Sequence, residues 1–336
     1  MVRTLKPALL LWFTLALAAC SKSDEAFETS PTERMVGYNA ALRKELTDAP
    51  YGWKVVYFPN IDSLQFTNLN QNIGEHDYEP RDLGVGGRTF TMKFAPDGWV
   101  SVQTDETSES LATPAVSEYE IGQGMATRLS FTTFGPIHRL INHRFRGSAD
   151  FFYLGKDLDG RLRFRTGSYL EVGREYMAFE RIETAAAADT ILQQSRENRL
   201  HFEAMRDPQL TIRQGDRVFF RSDYTTKTPR RVETMNANRY MFFLFARTPS
   251  LTGGFPKAAF GLGSGYTGTP EGLSFHTGLR FSQQYIFHDF ERVGDKFVCE
   301  LVKVYHPQTR TLRYVPRHLF PQGEITGMVA EINDRN

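Results

Sequence analysis

Glu118 and Glu120 stand two apart in Glu118-Tyr119-Glu120-Ile121, so a strand there carries both carboxylates on one face, ~7 Å apart along it. Carboxylates near that separation can divide the acid and nucleophile or base roles of glycoside hydrolysis. The same alternation puts Tyr119 and Ile121 on the opposite face, which predicts a half-buried strand with both glutamates in water. Gly263-Ser264-Gly265-Tyr266-Thr267-Gly268 matches GxGxxG, but a dinucleotide turn must open a helix whose N-terminus holds the pyrophosphate. Here Pro270 and Gly272 follow and no helical pattern begins, so the segment reads as a mobile glycine-rich loop able to cover a ligand. Asp157-Leu158-Asp159-Gly160 opens like a calcium loop, yet Ser168 stands where the bidentate glutamate belongs, and a type I′ hairpin turn explains the Asp-Gly pair. The eight histidines form no HExxH, and His138 and His143 are five apart, off a shared strand face or helix stripe. GxSxG, a Walker lysine loop and paired CxxC are all missing, so no motif argues for an enzyme, a metal or a cofactor. Two rings qualify as ligand platforms: Trp99, one residue past the Asp97-Gly98 turn, and Tyr266 in the glycine-rich segment. In a chain with 27 phenylalanines the competing expectation for any ring is the core.

Cys20 offers a different chemistry. Arg3 and Lys6, then the apolar run Leu9 to Ala16, then Leu17-Ala18-Ala19-Cys20 follow the plan of a bacterial lipoprotein signal. The apolar run is shorter than the ~20 residues a spanning helix needs. The cysteine thiolate takes up a diacylglyceryl group, and several acyl chains on one residue suffice for stable anchoring. Without residues 1–19 the chain loses Arg3 and Lys6, and its formal charge moves from +1 to −1. That balance gives no electrostatic case for nucleic acid. With Cys20 acylated, Cys299 has no disulfide partner; in the strand-like Lys296-Phe297-Val298-Cys299-Glu300-Leu301 it reads as a small buried hydrophobe. Ser21-Lys22-Ser23-Asp24-Glu25 resembles the short acidic signal that sends Bacteroidota lipoproteins to the outer face of the outer membrane.

Hydrophobic period sets the elements. Met35, Tyr38, Leu42 and Leu46 fall at helical spacing within Glu33 to Thr47, and Pro50 stops the helix. From Trp53 the period becomes two, with strands expected at 53–58, 89–94, 100–104, 118–121, 128–134, 151–154, 161–164 and 176–182, joined by tight turns. Ala185 to Met205 predicts a second helix before Pro208. Strands then resume at 210–213, 217–221, 240–246, 273–276, 285–291, 296–304 and 311–315, and Tyr240 to Phe245 is apolar on both faces, as in a central strand. The expected fold is mainly β, with two antiparallel β-meander units (half-barrel or sandwich-like) joined by a helix, plus a short N-terminal helix. The expected division is a signal peptide at 1–19, a lipidated flexible tether at 20–33, a helix plus β-meander domain at 34–183, a linking helix at 184–207 and a second β domain at 208–336. Leu129-Ser130-Phe131 and Leu273-Ser274-Phe275 hint at distant duplication.

Several stretches resemble a known family. Ala49-Pro50-Tyr51-Gly52-Trp53-Lys54 is similar to its opening motif, Phe94-Ala95-Pro96-Asp97-Gly98 to its first hairpin, and Glu106 to Ser110 with Ala112-Thr113-Pro114, Ser117 and Tyr119 to its most specific stretch. Thr269 to Phe275 resembles a recurring piece of its second half; the family is the Bacteroidota lipoprotein domain of unknown function 4302. The resemblance implies an accessory role beside SusC-like and SusD-like outer-membrane partners in nutrient uptake, and carries over no catalytic residue. The expectation is therefore a lipid-anchored outer-membrane protein facing the cell surface that binds without catalysis. The alternatives are a surface hydrolase acting on glycan or peptide with a scattered active site, and a structural subunit of an outer-membrane assembly.

Overall fold

A computed structural model describes residues 30–59, 86–123, 126–141, 145–166, 175–222, 224–226, 241–247 and 259–335. Cys20, the signal segment, most of the tether, His143 and the stretch from Pro249 to residue 258 lie outside the described residues. The protein is mainly β, with two antiparallel units and few helices.

Helix α1 (Pro31–Thr47) begins at a capping box: Ser30 Oγ accepts the Glu33 N–H at 3.2 Å, and Glu33 Oε2 accepts the Ser30 N–H at 2.8 Å. Proline at the first helical position loses nothing, since its missing N–H would have had no partner in the helix. Of the predicted stripe, Leu42 and Leu46 are buried while Tyr38 is exposed, so only the last turns pack. The Trp53 indole N–H then donates to the Leu46 carbonyl at 3.0 Å, tying the helix end to the first strand.

Eight strands follow: β1 (Trp53–Phe58), β2 (Arg88–Phe94), β3 (Trp99–Thr104), β4 (Ala115–Gln123), β5 (Thr127–Phe131), β6 (Asp150–Lys156), β7 (Leu162–Thr166) and β8 (Tyr176–Arg181). Each pairs antiparallel with the next, and β8 returns to β1 from Trp53↔Arg181 to Phe58↔Tyr176, closing a barrel. The first meander is thus a closed barrel. An eight-stranded barrel is just wide enough for side chains to fill. Here Trp53, Tyr57, Phe90, Phe94, Phe131, Phe151, Phe164 and Phe179 fill it, and Leu42 and Leu46 of α1 join the same cluster.

Turn chemistry differs from the expected type I′. Gly98 and Gly160 have φ of 95° and 81°, and their N–H groups bond back to the Ala95 and Asp157 carbonyls. The residues between have ordinary negative φ, so both hairpins use a type I turn with glycine in the left-handed position that follows. A short helix α2 (Ser108–Ala112) and a 3₁₀ turn at His138–Leu140 interrupt the barrel strands.

Helix α3 (Ala185–Ala204), capped by Thr184, runs from the barrel to the second unit. That unit contains β9 (Pro208–Gln214), β10 (Arg217–Arg221), β11 (Tyr224–Thr226), β12 (Met241–Arg247), β13 (Ala259–Gly268), β14 (Gly272–Arg280), β15 (Ile286–Val293), β16 (Lys296–His306), β17 (Thr311–Pro316) and β18 (Glu324–Asp334). The sheet order is β10-β9-β18-β16-β15-β14-β13-β12-β11, with β17 also on β16. The side chains of β12 lie outside the described residues, so its expected two-faced burial does too. Its core gathers Phe202 of α3 with Tyr266, Phe275, Phe287, Phe290, Phe297 and Cys299. The Leu-Ser-Phe triplets fall on the fifth strand of a closed barrel and the sixth strand of an open sheet.

Residues 263–268, expected as a mobile loop, belong instead to strand β13. Glycine there answers a packing need. A Cβ built on Gly268 would lie 1.9 Å from the Ser195 carbonyl oxygen of α3. We therefore expect Gly268→Ala to push helix from strand and destabilise the fold by about 2 kcal/mol or more. Gly37→Ala, in a helical turn with nothing within 4 Å, should stabilise it by up to about 1 kcal/mol. Urea midpoints that move alike for the two variants would contradict this account of the packing.

Candidate functional site

The barrel and the sheet meet along β1, β2 and β8, and this seam holds the densest buried charge. Lys54, outward on β1 yet buried, reaches Glu180 Oε2 of β8 at 3.0 Å and Glu271 Oε1, from the β13–β14 turn, at 3.1 Å. Burial alone would lower its pKa, but Glu271 and Glu180 outweigh burial and hold it above the usual lysine range. For Glu271 burial pulls upward and Lys54 wins, so its carboxyl is held low. Around them Arg161, Asp289, His318 and Thr269 line a cleft of about 20 Å³. That is room for about one water, far below the ~300 Å³ at which ligand pockets start.

Beside the cleft four planar groups stack across the seam. The Arg163 guanidinium lies 3.7 Å from the Tyr176 ring centroid. Tyr176 stacks on His276 at 3.3 Å and 17°, and His276 faces His288 at 5.1 Å. Phe58 meets Tyr176 and His276 edge-on. Tyr176 Oη, His276 Nε2 and His288 Nδ1 are buried without hydrogen-bond partners among the described residues. Burial, then His288, Arg163 and Arg161, hold His276 well below the usual imidazole value; burial also lowers His288, against the pull of Asp289. Both rings are thus neutral at pH 7.

A third site lies inside the barrel. Glu175 Oε1 accepts the Tyr57 hydroxyl at 2.7 Å, Oε2 accepts the Thr166 N–H, and Tyr57 Oη accepts the Ser148 N–H at 3.1 Å. Burial pushes the Glu175 carboxyl up to about 7, against the hydrogen bonds from Tyr57 and Thr166. A pKa there suits a general acid, but both oxygens are already occupied by protein donors. Sequence reasoning missed Glu175, since only the β8–β1 pairing that closes the barrel brings it to Tyr57.

The positions expected from sequence scatter. Tyr266, proposed as an exposed platform, is 1% exposed and packs edge-on to Phe202 in the sheet core. It is a core residue because β13 turns that side chain inward. Cys299 is buried and free, its thiol pushed well above the usual range by burial. Glu118 and Glu120 sit on the outer barrel face, away from the cleft, with Tyr119 buried between them. Trp99 is 44% exposed and directly opposite Glu118 on the neighbouring strand. Val116, 61% exposed, pairs with Ser101 on the same face. The Thr132 N–H bonds the Glu118 carbonyl, continuing the ladder toward Phe134, which is 75% exposed and packs on His138. Trp99 on β3, Val116 on β4 and Phe134, three residues past the end of β5, are thus exposed apolar side chains of this outer side of the barrel, with Glu118 directly opposite Trp99.

No three His, Cys, Asp or Glu side chains among the described residues are grouped to hold a metal ion. No helix among them is long and apolar enough to cross a membrane. Fold and surface define an antiparallel β protein whose barrel is filled with side chains and which exposes rings such as Trp99 and Phe134 on the outside of it. The model of the family described as a domain of unknown function (DUF4302) matches residues 23–294, and the chain belongs to that family. The match spans the barrel, α3 and the sheet through β15, stopping before β16. No curated protein and no solved structure matched the chain.

Two pH effects of opposite sign follow. An unfolded imidazole takes its proton near pH 6.5, whereas folded His276 resists it until well below. The unfolded state therefore binds more protons in that window, and stability falls as pH drops below ~6.5. His276→Phe, which keeps a ring on Tyr176, should flatten that slope by up to one proton, about 1.4 kcal/mol per pH unit. For Glu175 the folded value is about 7 against a reference of 4.5, so the folded state keeps its proton longer and stability falls as pH rises between them. Glu175→Gln should remove that fall, worth at most about 3 kcal/mol by pH 8. Denaturant titrations from pH 4 to pH 8 test both; a variant with the wild-type slope contradicts its assignment.

Proposed function

We propose that the protein is an outer-membrane surface lipoprotein, acylated on Cys20, that works as a non-catalytic binding component beside a SusC/SusD-like uptake complex. The observation that carries the binding role is the exposure of Trp99, Val116 and Phe134. Apolar rings held in water on a rigid barrel wall are an incompletely satisfied surface, and such patches mark interaction sites. Flat rings stack on the apolar face of a sugar or on a peptide plane, and a carboxylate beside Trp99 accepts hydrogen bonds from the same ligand. The filled barrel agrees with a ligand held outside it. The hydrolase alternative draws on Glu118 and Glu120, which face outward and do not line the Lys54 cleft, so the geometry does not favour it.

Affinity electrophoresis against soluble polysaccharides and unfolded casein tests these side chains. The wild type should be retarded by at least one of them, and Trp99→Ala/Phe134→Ala should lose at least about tenfold in affinity while keeping its melting temperature. Retention of full affinity by the double variant would remove them from the proposal. Purification from native outer membranes in mild detergent should bring down a transporter-type partner, and its consistent absence would overturn the uptake role.

A further inference from the structure

Strand β16 outruns its sheet. Its pairing with β15 ends at Val298 and its pairing with β18 ends at Lys303, after which only β17 accompanies it. The pairs Val304↔Arg313, Tyr305↔Leu312 and His306↔Thr311 therefore form a two-stranded ribbon beyond the last shared row. Such a ribbon has little stability of its own in water. Yet it displays an opposed Tyr305–Leu312 pair, 58% and 57% exposed.

The charge around it is one-sided. From Leu301 to Gly323 the chain carries Lys303, Arg310, Arg313 and Arg317 and no aspartate or glutamate, although the whole protein is nearly balanced. Lys303 and Arg317, at the base, are matched by Glu324 and Glu300 from neighbouring strands. Arg310, in the turn at the tip, and Arg313, opposite Val304 on the other face of the ribbon from Tyr305 and Leu312, have no ion pair among the described residues. Arg310 also holds a left-handed backbone position, φ 54°, that glycine or asparagine would adopt more readily.

We infer that this hairpin tip docks on an anionic lipid surface. Arg310 and Arg313 meet headgroup phosphates, while Tyr305 and Leu312 enter the interfacial layer that suits an aromatic with a polar end. Charge alone would also admit a dissolved polyanion, but such a chain offers nothing to Leu312. Two cations and one apolar pair make a reversible contact, strong enough to carry the unacylated chain on an excess of anionic vesicles but short of a permanent anchor. The assignment is independent of Trp99, Val116 and Phe134.

The mature chain with Cys20→Ser, free of acyl groups, tests the inference by flotation with vesicles of phosphatidylcholine with or without phosphatidylglycerol. It should float with the anionic vesicles only, and added salt should release it. Arg310→Glu/Arg313→Glu should reduce the bound fraction at least about tenfold. Tyr305→Ser/Leu312→Ser should reduce it while leaving the salt dependence in place. Should either pair lower the melting temperature, Arg310→Gln/Arg313→Gln replaces it with the same expected direction. No flotation, equal flotation with neutral vesicles, or wild-type binding by the variants overturns the inference. Capture by a sulfated polysaccharide without vesicle binding overturns it too, and gives the tip to a polyanion.

Discussion

Everything else in the molecule depends on β1 being buried on both faces. All six of its residues are buried, which is unusual for a barrel strand whose outer face ordinarily meets water. Its inward residues, Trp53, Val55 and Tyr57, belong to the barrel core. Its outward residues, Lys54, Val56 and Phe58, are covered from outside by the second sheet, with Val56 and Phe58 clustering on Tyr176 and Ala178. A lysine in such a place is tolerable only with partners, because an unpaired buried charge is far more costly than a buried pair. Glu180 and Glu271 come from the two different units, so satisfying Lys54 requires that the units meet. The Thr89 hydroxyl, donating to the Gly268 carbonyl at 2.6 Å, and Arg199 of α3, 3.4 Å from Asp105, lock the same seam from either side.

How much of this was legible depends on whether the information is local. Strand β1 reads directly from Trp53 to Phe58, and the barrel hairpins read from Pro96-Asp97-Gly98 and Asp157 to Gly160, because turn chemistry and period are written within a few residues. Closure was not legible, since β1 meeting β8 joins residues more than a hundred positions apart. Strand β13 is hidden because its glycines suggest a flexible loop, where Gly268 serves close approach to α3. Strand β18 was overlooked because Gly327, at φ 72°, breaks its alternation near a register shift opposite Leu301 and Val302. The same reasoning explains the fate of the candidate rings. Trp99 is fixed by its neighbouring turn and stays outside; Tyr266 follows the strand that the sequence concealed.

The two unusual protonation sites place opposite demands on the fold. Glu175 favours folding when protonated, inside the barrel; His276 favours it when neutral, at the seam. Below pH 7 the first steadies the barrel while the second weakens its joint to the sheet. Acid therefore acts on the seam before the barrel. Arg161 and Arg163 sharpen the effect, since a proton on His276 would join a site that already holds two guanidinium groups.

The seam also decides which surface is left for partners. In a closed eight-stranded barrel, β5 lies diametrically opposite β1. Covering β8, β1 and β2 with the sheet leaves β3, β4, β5 and β6 outside the seam, and Trp99 on β3, Val116 on β4 and Phe134 just past β5 are exposed there. Ring exposure there follows from topology: the same alternation that buries Phe58 under the sheet turns Trp99 outward where no second layer covers it. On the sheet, β16 runs past the ends of its pairing with β15 and β18, and with β17 alone beside it carries Tyr305 outward. A filled barrel and an open sheet thus divide the work, one presenting a rigid wall and the other a projecting tip. The buried joint between them fixes how the two are held together.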